Sequence, residues 1–96
     1  MKKTVLDFSE CKYWHDLEKV IKTTLDFPDY YGENLSALWD CGRDYVYDVK
    51  PVIIEILGSH KYADLSKQHN DYINGILSVF QRLNDRITDV KVEVVS

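Results

Sequence analysis

Pro51-Val52-Ile53-Ile54-Glu55-Ile56-Leu57, closed by Gly58, is the stretch on which the fold turns. It is almost continuously apolar and rich in β-branched side chains, the pattern of a strand covered on both faces in a parallel sheet. The glycine punctuates its end. Towards the N-terminus, Lys3–Phe8 carries Thr4, Val5, Leu6 and Phe8 and reads as a first strand. Towards the C-terminus, Val90–Val95 alternates apolar and charged residues, as a strand with one solvated face does.

Helical patterns fill the gaps. Trp14, Leu17, Ile21 and Leu25 fall at helical spacing, and Asp16 and Glu18 stand in the first turn where the dipole favours acids. Phe27-Pro28 stops this helix, because a residue before proline avoids the helical region. After the loop Tyr30–Glu33, Asn34 is a good N-cap for a second helix reaching Arg43 or Tyr45, with Leu35, Leu38, Cys41 and Tyr45 as its apolar stripe. Ser59 to Lys67 predicts a short helix with Tyr62 and Leu65 inward. Asn70 then caps a last one, whose buried stripe is Ile73, Ile76, Leu77, Phe80 and Leu83. Gly75 weakens that helix by roughly 1 kcal/mol relative to alanine. Strands separated by helical segments favour right-handed crossovers and a small parallel sheet. The class is α/β.

The chain has 96 residues, which make one domain over 1–96. At 45% hydrophobic and 29% charged, it is too apolar to be disordered. No apolar run approaches the ~20 residues that cross a bilayer. The N-terminal lysines Lys2 and Lys3 meet Asp7 and Glu10 before any long apolar stretch, which argues against a signal peptide and for the cytoplasm. Cys11 and Cys41 fit no metal spacing and read as free thiols, and no cofactor or metal is expected.

The net charge of −4 is not spread evenly. From Asp26 to Asp48 there are six acids (Asp26, Asp29, Glu33, Asp40, Asp44, Asp48) and one base (Arg43), a net of −5, so the remainder sums to +1. The same window holds Tyr30, Tyr31, Trp39, Tyr45 and Tyr47. Acids among flat aromatic side chains suggest a surface that meets a positively charged partner. Direct binding to nucleic acid would need a basic face instead. Ser36, Asp40 and Asp44 are each four residues apart, so they share one face of the second helix.

Phe27-Pro28-Asp29-Tyr30-Tyr31-Gly32-Glu33-Asn34-Leu35, with Ala37-Leu38-Trp39-Asp40-Cys41, resembles the signature of the barstar family, intracellular inhibitors of secreted ribonucleases. The resemblance extends over the whole chain and is looser between Tyr47 and Tyr72. It implies a three-stranded parallel sheet packed by about four helices, no catalytic activity, and a cis Lys50-Pro51 bond. It also implies inhibition by plugging, with the second helix and the loop before it entering the active site of a basic extracellular ribonuclease of the barnase kind, one to one. Asp40 would take the phosphate position, Tyr30 would stack near the base-recognition elements, Asn34 and Trp39 would pack on the rim, and Tyr45 would stand for an aromatic at the helix end. With neighbours on the same face, the expected contact set is Tyr30, Asn34, Leu35, Ser36, Trp39, Asp40, Arg43, Asp44 and Tyr45. Two residues depart from the family pattern. Ser36 stands where a second acid is expected, and Arg82 where a glutamate reaches the nuclease.

The role of Asp40 has a physical basis of its own. A ribonuclease site grips a phosphodiester with cationic groups, and a carboxylate on a rigid helix accepts the same charge-assisted hydrogen bonds while offering no bond to cleave. Two other classes stand beside this one. The losses at Ser36 and Arg82 fit a barstar-like interaction module with a non-nuclease partner. A small hydrolase would use His60, with Asp64 four residues on, or His69 near a helix start. No nucleophile or set of three metal ligands stands at a recognisable spacing beside them. Gly32 is expected to serve a turn with positive φ, and Tyr31 to support the loop from inside.

Overall fold

The computed structural model describes residues 1–95. The elements run β1 (Lys2–Asp7), α1 (Trp14–Thr24), α2 (Leu35–Val49), β2 (Val52–Leu57), α3 (Ser59–Ala63), α4 (Lys67–Arg86) and β3 (Val90–Val94). The sheet is parallel throughout, in the order β1-β2-β3, with Thr4 opposite Ile54 and Ile54 opposite Val92. The expected α/β architecture of three parallel strands and four helices is present, and the Lys50-Pro51 peptide is cis.

The central strand is not covered on both faces. Val52, Ile54 and Ile56 are buried, whereas Ile53, Glu55 and Leu57 are only half-buried. Their neighbours on that second face are Lys3, Val5 and Asp7 in β1 and Lys91 and Glu93 in β3. The helices therefore lie on one face, and the domain has two layers. Ile53 and Leu57 are kept partly from water by long flanking side chains such as Lys3, whose Nζ lies 3.1 Å from Glu55.

The core joins Leu6 and Phe8 of the β1 region, Leu17 and Ile21 of α1, Leu38 and Val46 of α2, and Ile73, Ile76, Phe80 and Leu83 of α4. The stripe of α2 is Leu38, Gly42 and Val46, not Leu35, Leu38, Cys41 and Tyr45. Gly42 explains the change. A Cβ there would sit 3.2 Å from Leu83 Cδ1, so a residue without a side chain lets α2 approach α4. Leu35, left 45% exposed, lies across α4 at Gly75, with Cδ1 3.0 Å from where a Cβ would stand.

Caps moved the other helix ends. Ser66 starts α4 by accepting from the His69 amide at 3.2 Å, ahead of the expected cap at Asn70, and α3 closes at Ala63. At the start of α1, Asp16 accepts from the amides of Lys12 and Tyr13 at 3.0 and 3.1 Å. Gly58, with φ +78°, carries the chain from β2 into α3, and a Cβ there would lie 2.3 Å from the Ser9 nitrogen.

Candidate functional site

The loop between α1 and α2 is bracketed by two non-glycine residues with positive φ, Asp26 at 54° and Glu33 at 51°. The left-handed region was expected at Gly32, but Glu33 takes it, and the Gly32 carbonyl is instead held by Asn34 Nδ2 at 3.2 Å. Such backbone states persist only where the surroundings hold them. Phe27 and Tyr31 supply that hold, each 6% exposed with ring centroids 4.9 Å apart, while Tyr30 points outward at 83% exposure.

Asn34 is the cap of α2. Its Oδ1 accepts from the Ala37 amide at 2.8 Å while its Nδ2 serves the Gly32 carbonyl, so both ends of the side chain are engaged within the chain. Downstream the helix presents a ladder, since Asp40 and Asp44 recur at Asp48 because α2 runs on to Val49. All three are exposed. Arg43 Nη2 reaches Asp40 at 3.8 Å, and among the described residues no cation pairs with Asp44 or Asp48. Like charges four residues apart on a helix repel, and acids near its C-terminus oppose the dipole. No basic residue stands in the last turn of α2 to offset them.

A hollow lies on either side of the ladder. One, of about 390 Å³, is walled by Tyr30 and Tyr45 and rimmed by Asp26, Asp44 and Asp48. The other, of about 590 Å³, lies between α2 and α4, where Leu35, Ser36, Trp39 and Asp40 face Val79 and Arg82. Trp39 carries two guanidinium groups near its ring, with Arg82 Cζ at 5.3 Å and Arg43 Cζ at 6.0 Å from the centroid. Tyr45 is half-buried, and its hydroxyl is 2.6 Å from Thr4 Oγ1, which ties α2 to β1. Cys41 sits beneath the ladder, its thiol pKa raised by burial and then by Asp44 and Asp40. Cys11 and Cys41 are both free.

The structure thus gathers Tyr30, Leu35, Ser36, Trp39, Asp40, Arg43, Asp44 and Tyr45 on one side of the molecule. Asn34 and Tyr45 also have internal work there, as cap and as strut. Asp48 and Arg82 belong to the same surface and were absent from the expected set. Asp48 continues the four-residue spacing, and only the short reading of the helix hid it. Of the two histidines considered for catalysis, His60 is exposed and His69 serves packing. His69 has Nδ1 2.6 Å from Ser66 Oγ, Nε2 2.7 Å from the Lys12 carbonyl and its ring 4.8 Å from Tyr62, so neither nitrogen is free for a proton-transfer step. Among the described residues no three His, Cys, Asp or Glu side chains gather as metal ligands, and no helix is long and apolar enough to cross a membrane.

The family model for barstar, described as barnase inhibitor, matches residues 1–95. The chain belongs to the barstar family. A relative in Bacillus subtilis (strain 168), named "Putative ribonuclease inhibitor YrdF", is 32% identical over 89 residues, covering 93% of this chain and 92% of its own length. The barstar family match takes in the whole described fold, so the loop and α2 geometry above stand within a family domain rather than beside one.

Proposed function

We propose that this chain is a protein inhibitor of a microbial ribonuclease, acting inside the cell that makes the nuclease. It binds one nuclease with the face formed by the loop at Tyr30 and by α2, and Asp40 takes the place of substrate phosphate. Family membership and the name of the Bacillus subtilis relative support the class. The observation that carries the reading is the ladder Asp40, Asp44, Asp48. It is exposed, lacks cationic partners at two of its three positions, and ends on Asp48 in the last turn, against the helix dipole. An arrangement that costs the free protein stability is accounted for by a basic partner that neutralises it. Non-enzymatic action is part of the same reading, supported by membership of an inhibitor family.

The test is RNA cleavage by a panel of basic microbial ribonucleases, with the protein titrated against each. Stoichiometric inhibition of at least one is expected, with Asp40→Ala weakening it at least about tenfold, the equivalent of 1.4 kcal/mol. Inhibition by the wild type that Asp40→Ala leaves unchanged would keep the class and remove the phosphate-mimic role.

One observation favours a second reading, in which the face docks a protein other than a nuclease. Arg43 and Arg82 place two guanidinium groups around Trp39, next to Asp40. A strongly basic partner would be repelled by them. Failure to inhibit any nuclease of the panel, together with recovery of a stoichiometric non-nuclease partner that Asp40→Ala releases, would establish this reading instead.

A further inference from the structure

Among the described residues Glu18 is the one acid that the fold takes inside. It is 1% exposed, on α1, among the core side chains. Its Oε2 accepts from the Tyr31 hydroxyl at 2.5 Å and its Oε1 from the Tyr72 hydroxyl at 2.8 Å. No cation pairs with it among the described residues. Tyr31 belongs to the loop and Tyr72 to α4, so one carboxylate joins three segments distant in sequence. Burial raises both phenol pKa values, and the hydrogen bonds to Glu18 raise them further, so both hydroxyls remain donors.

Stability alone does not account for this arrangement. A buried carboxyl group held only by neutral donors is expensive, and an apolar side chain of similar volume is often neutral or stabilising at such a position. The loop supplies the reason. Its two positive-φ residues need an external hold, and Tyr31 lies between them, next to exposed Tyr30 and three residues before the Asn34 cap. We propose that Glu18 is a positioning residue for the binding face: its carboxylate clamps Tyr31 and thereby presents Tyr30 and the start of α2 in one conformation before any partner arrives. Preorganisation of this kind raises affinity by removing an ordering cost from the binding step. The consequence for binding rests on the function proposed above. The clamp itself is a property of the free chain and is tested there.

The experiment is amide hydrogen exchange on the free protein, comparing Glu18→Met, Glu18→Gln and Tyr31→Phe with wild type. The reporting amides are Tyr31, which donates to the Pro28 carbonyl at 3.0 Å, and Ala37, which donates to the Asn34 cap at 2.8 Å. Ile54 and Ile56 of β2 report the global fold. Glu18→Met should speed exchange at Tyr31 and Ala37 at least about tenfold while Ile54 and Ile56 hold or gain protection. Tyr31→Phe should do the same at Tyr31 and Ala37. Glu18→Gln, which keeps one acceptor, should fall between wild type and Glu18→Met. A merely structural role would change the loop and β2 amides together, and that result overturns the proposal, as does wild-type exchange in the loop of every variant. If wild type inhibits no ribonuclease, the function proposed above fails and the exchange result still decides the clamp.

Discussion

Neutralising the lower ladder with Asp44→Asn and Asp48→Asn should stabilise the free protein and slow its binding. The double substitution removes two like-charge contacts, Asp40 with Asp44 and Asp44 with Asp48. Exposed pairs at this spacing cost about 0.2–0.5 kcal/mol each. It also removes an acid from the last turn of α2, where no base offsets it, at about 0.3–1 kcal/mol. Lys50 follows the helix, but its Nζ lies 4.9 Å from the centre of the Tyr47 ring. Asparagine has a helix propensity close to that of aspartate, so the backbone term cancels. The gain is therefore about 0.7–2 kcal/mol at low ionic strength, and at about 4–8 °C per kcal/mol for a domain of this size Tm rises by at least about 3 °C. Thermal unfolding followed by circular dichroism measures it. The gain should fall by at least half in 1 M NaCl, where the screening length is about 3 Å. Stopped-flow association with any nuclease the wild type inhibits should slow, because the same charges steer the encounter. An unchanged or lowered Tm at low salt, or a gain that 1 M NaCl leaves intact, would refute the reasoning.

Arg82→Glu replaces a cation beside Trp39 with an acid and should improve inhibition of barnase at least about tenfold, by titration of RNA cleavage, if that face meets a phosphate-gripping site. Gly58→Ala sets a Cβ 2.3 Å from the Ser9 nitrogen at a φ of +78° and should cost about 3 kcal/mol or more in urea unfolding; a loss under about 1 kcal/mol contradicts the geometry. The Asp16 carboxyl pKa is lowered from 3.8, first by the Lys12 amide and then by the Tyr13 amide, so its contribution is present above 3.8 and lost as pH falls through the lowered value. Asp16→Ala should therefore lower Tm at pH 7 and make little difference near pH 2. Burial raises the Cys11 thiol pKa to about 11, so half-buried Cys41 should react first with a thiol reagent under native conditions, and unfolding should expose both.

Hydrophobic patterning located every strand and helix, β3 included, where Val90 alone is buried. It failed where two elements share a decision. The apolar run of β2 could not distinguish a sheet covered twice from one whose open face is shaded by lysine and glutamate stems, since Ile53 and Leu57 are equally apolar either way. The register of the α2 stripe depended on Gly42, which counts as nothing in a hydrophobic pattern and yet marks where Leu83 approaches. Ser66 and Asn70 are both good caps, and only the packed position of α4 selects Ser66. At the site, Asp40 and its face were legible from spacing and from family resemblance. Asp48 was hidden by a helix end placed too early, and Glu18 because it read only as an acid favoured by the dipole near a helix start.

The distribution of cost argues for the binding face independently of resemblance. Among the described residues, two of the three non-glycine residues with positive φ bracket the loop before α2, the third being Asp89 ahead of β3. The buried carboxylate without a cation holds that same loop, and the self-repelling ladder lies on the helix that follows it. Meanwhile α2 is fixed from beneath by Gly42 against Leu83, and at the flanks of the ladder by Leu35 across Gly75 and the Tyr45 hydroxyl on Thr4. A helix fastened on one side can carry unfavourable charge on the other without moving. Strain and charge concentrated on one rigid face are what a partner that arrives with opposite charge can convert into affinity, because the conformational cost is met in folding and not in binding. If the face were only solvated surface, replacing Glu18 by methionine and the ladder by asparagines together would leave a more stable protein with unchanged function. Loss of inhibition in that more stable protein would separate cost borne for binding from cost borne for nothing.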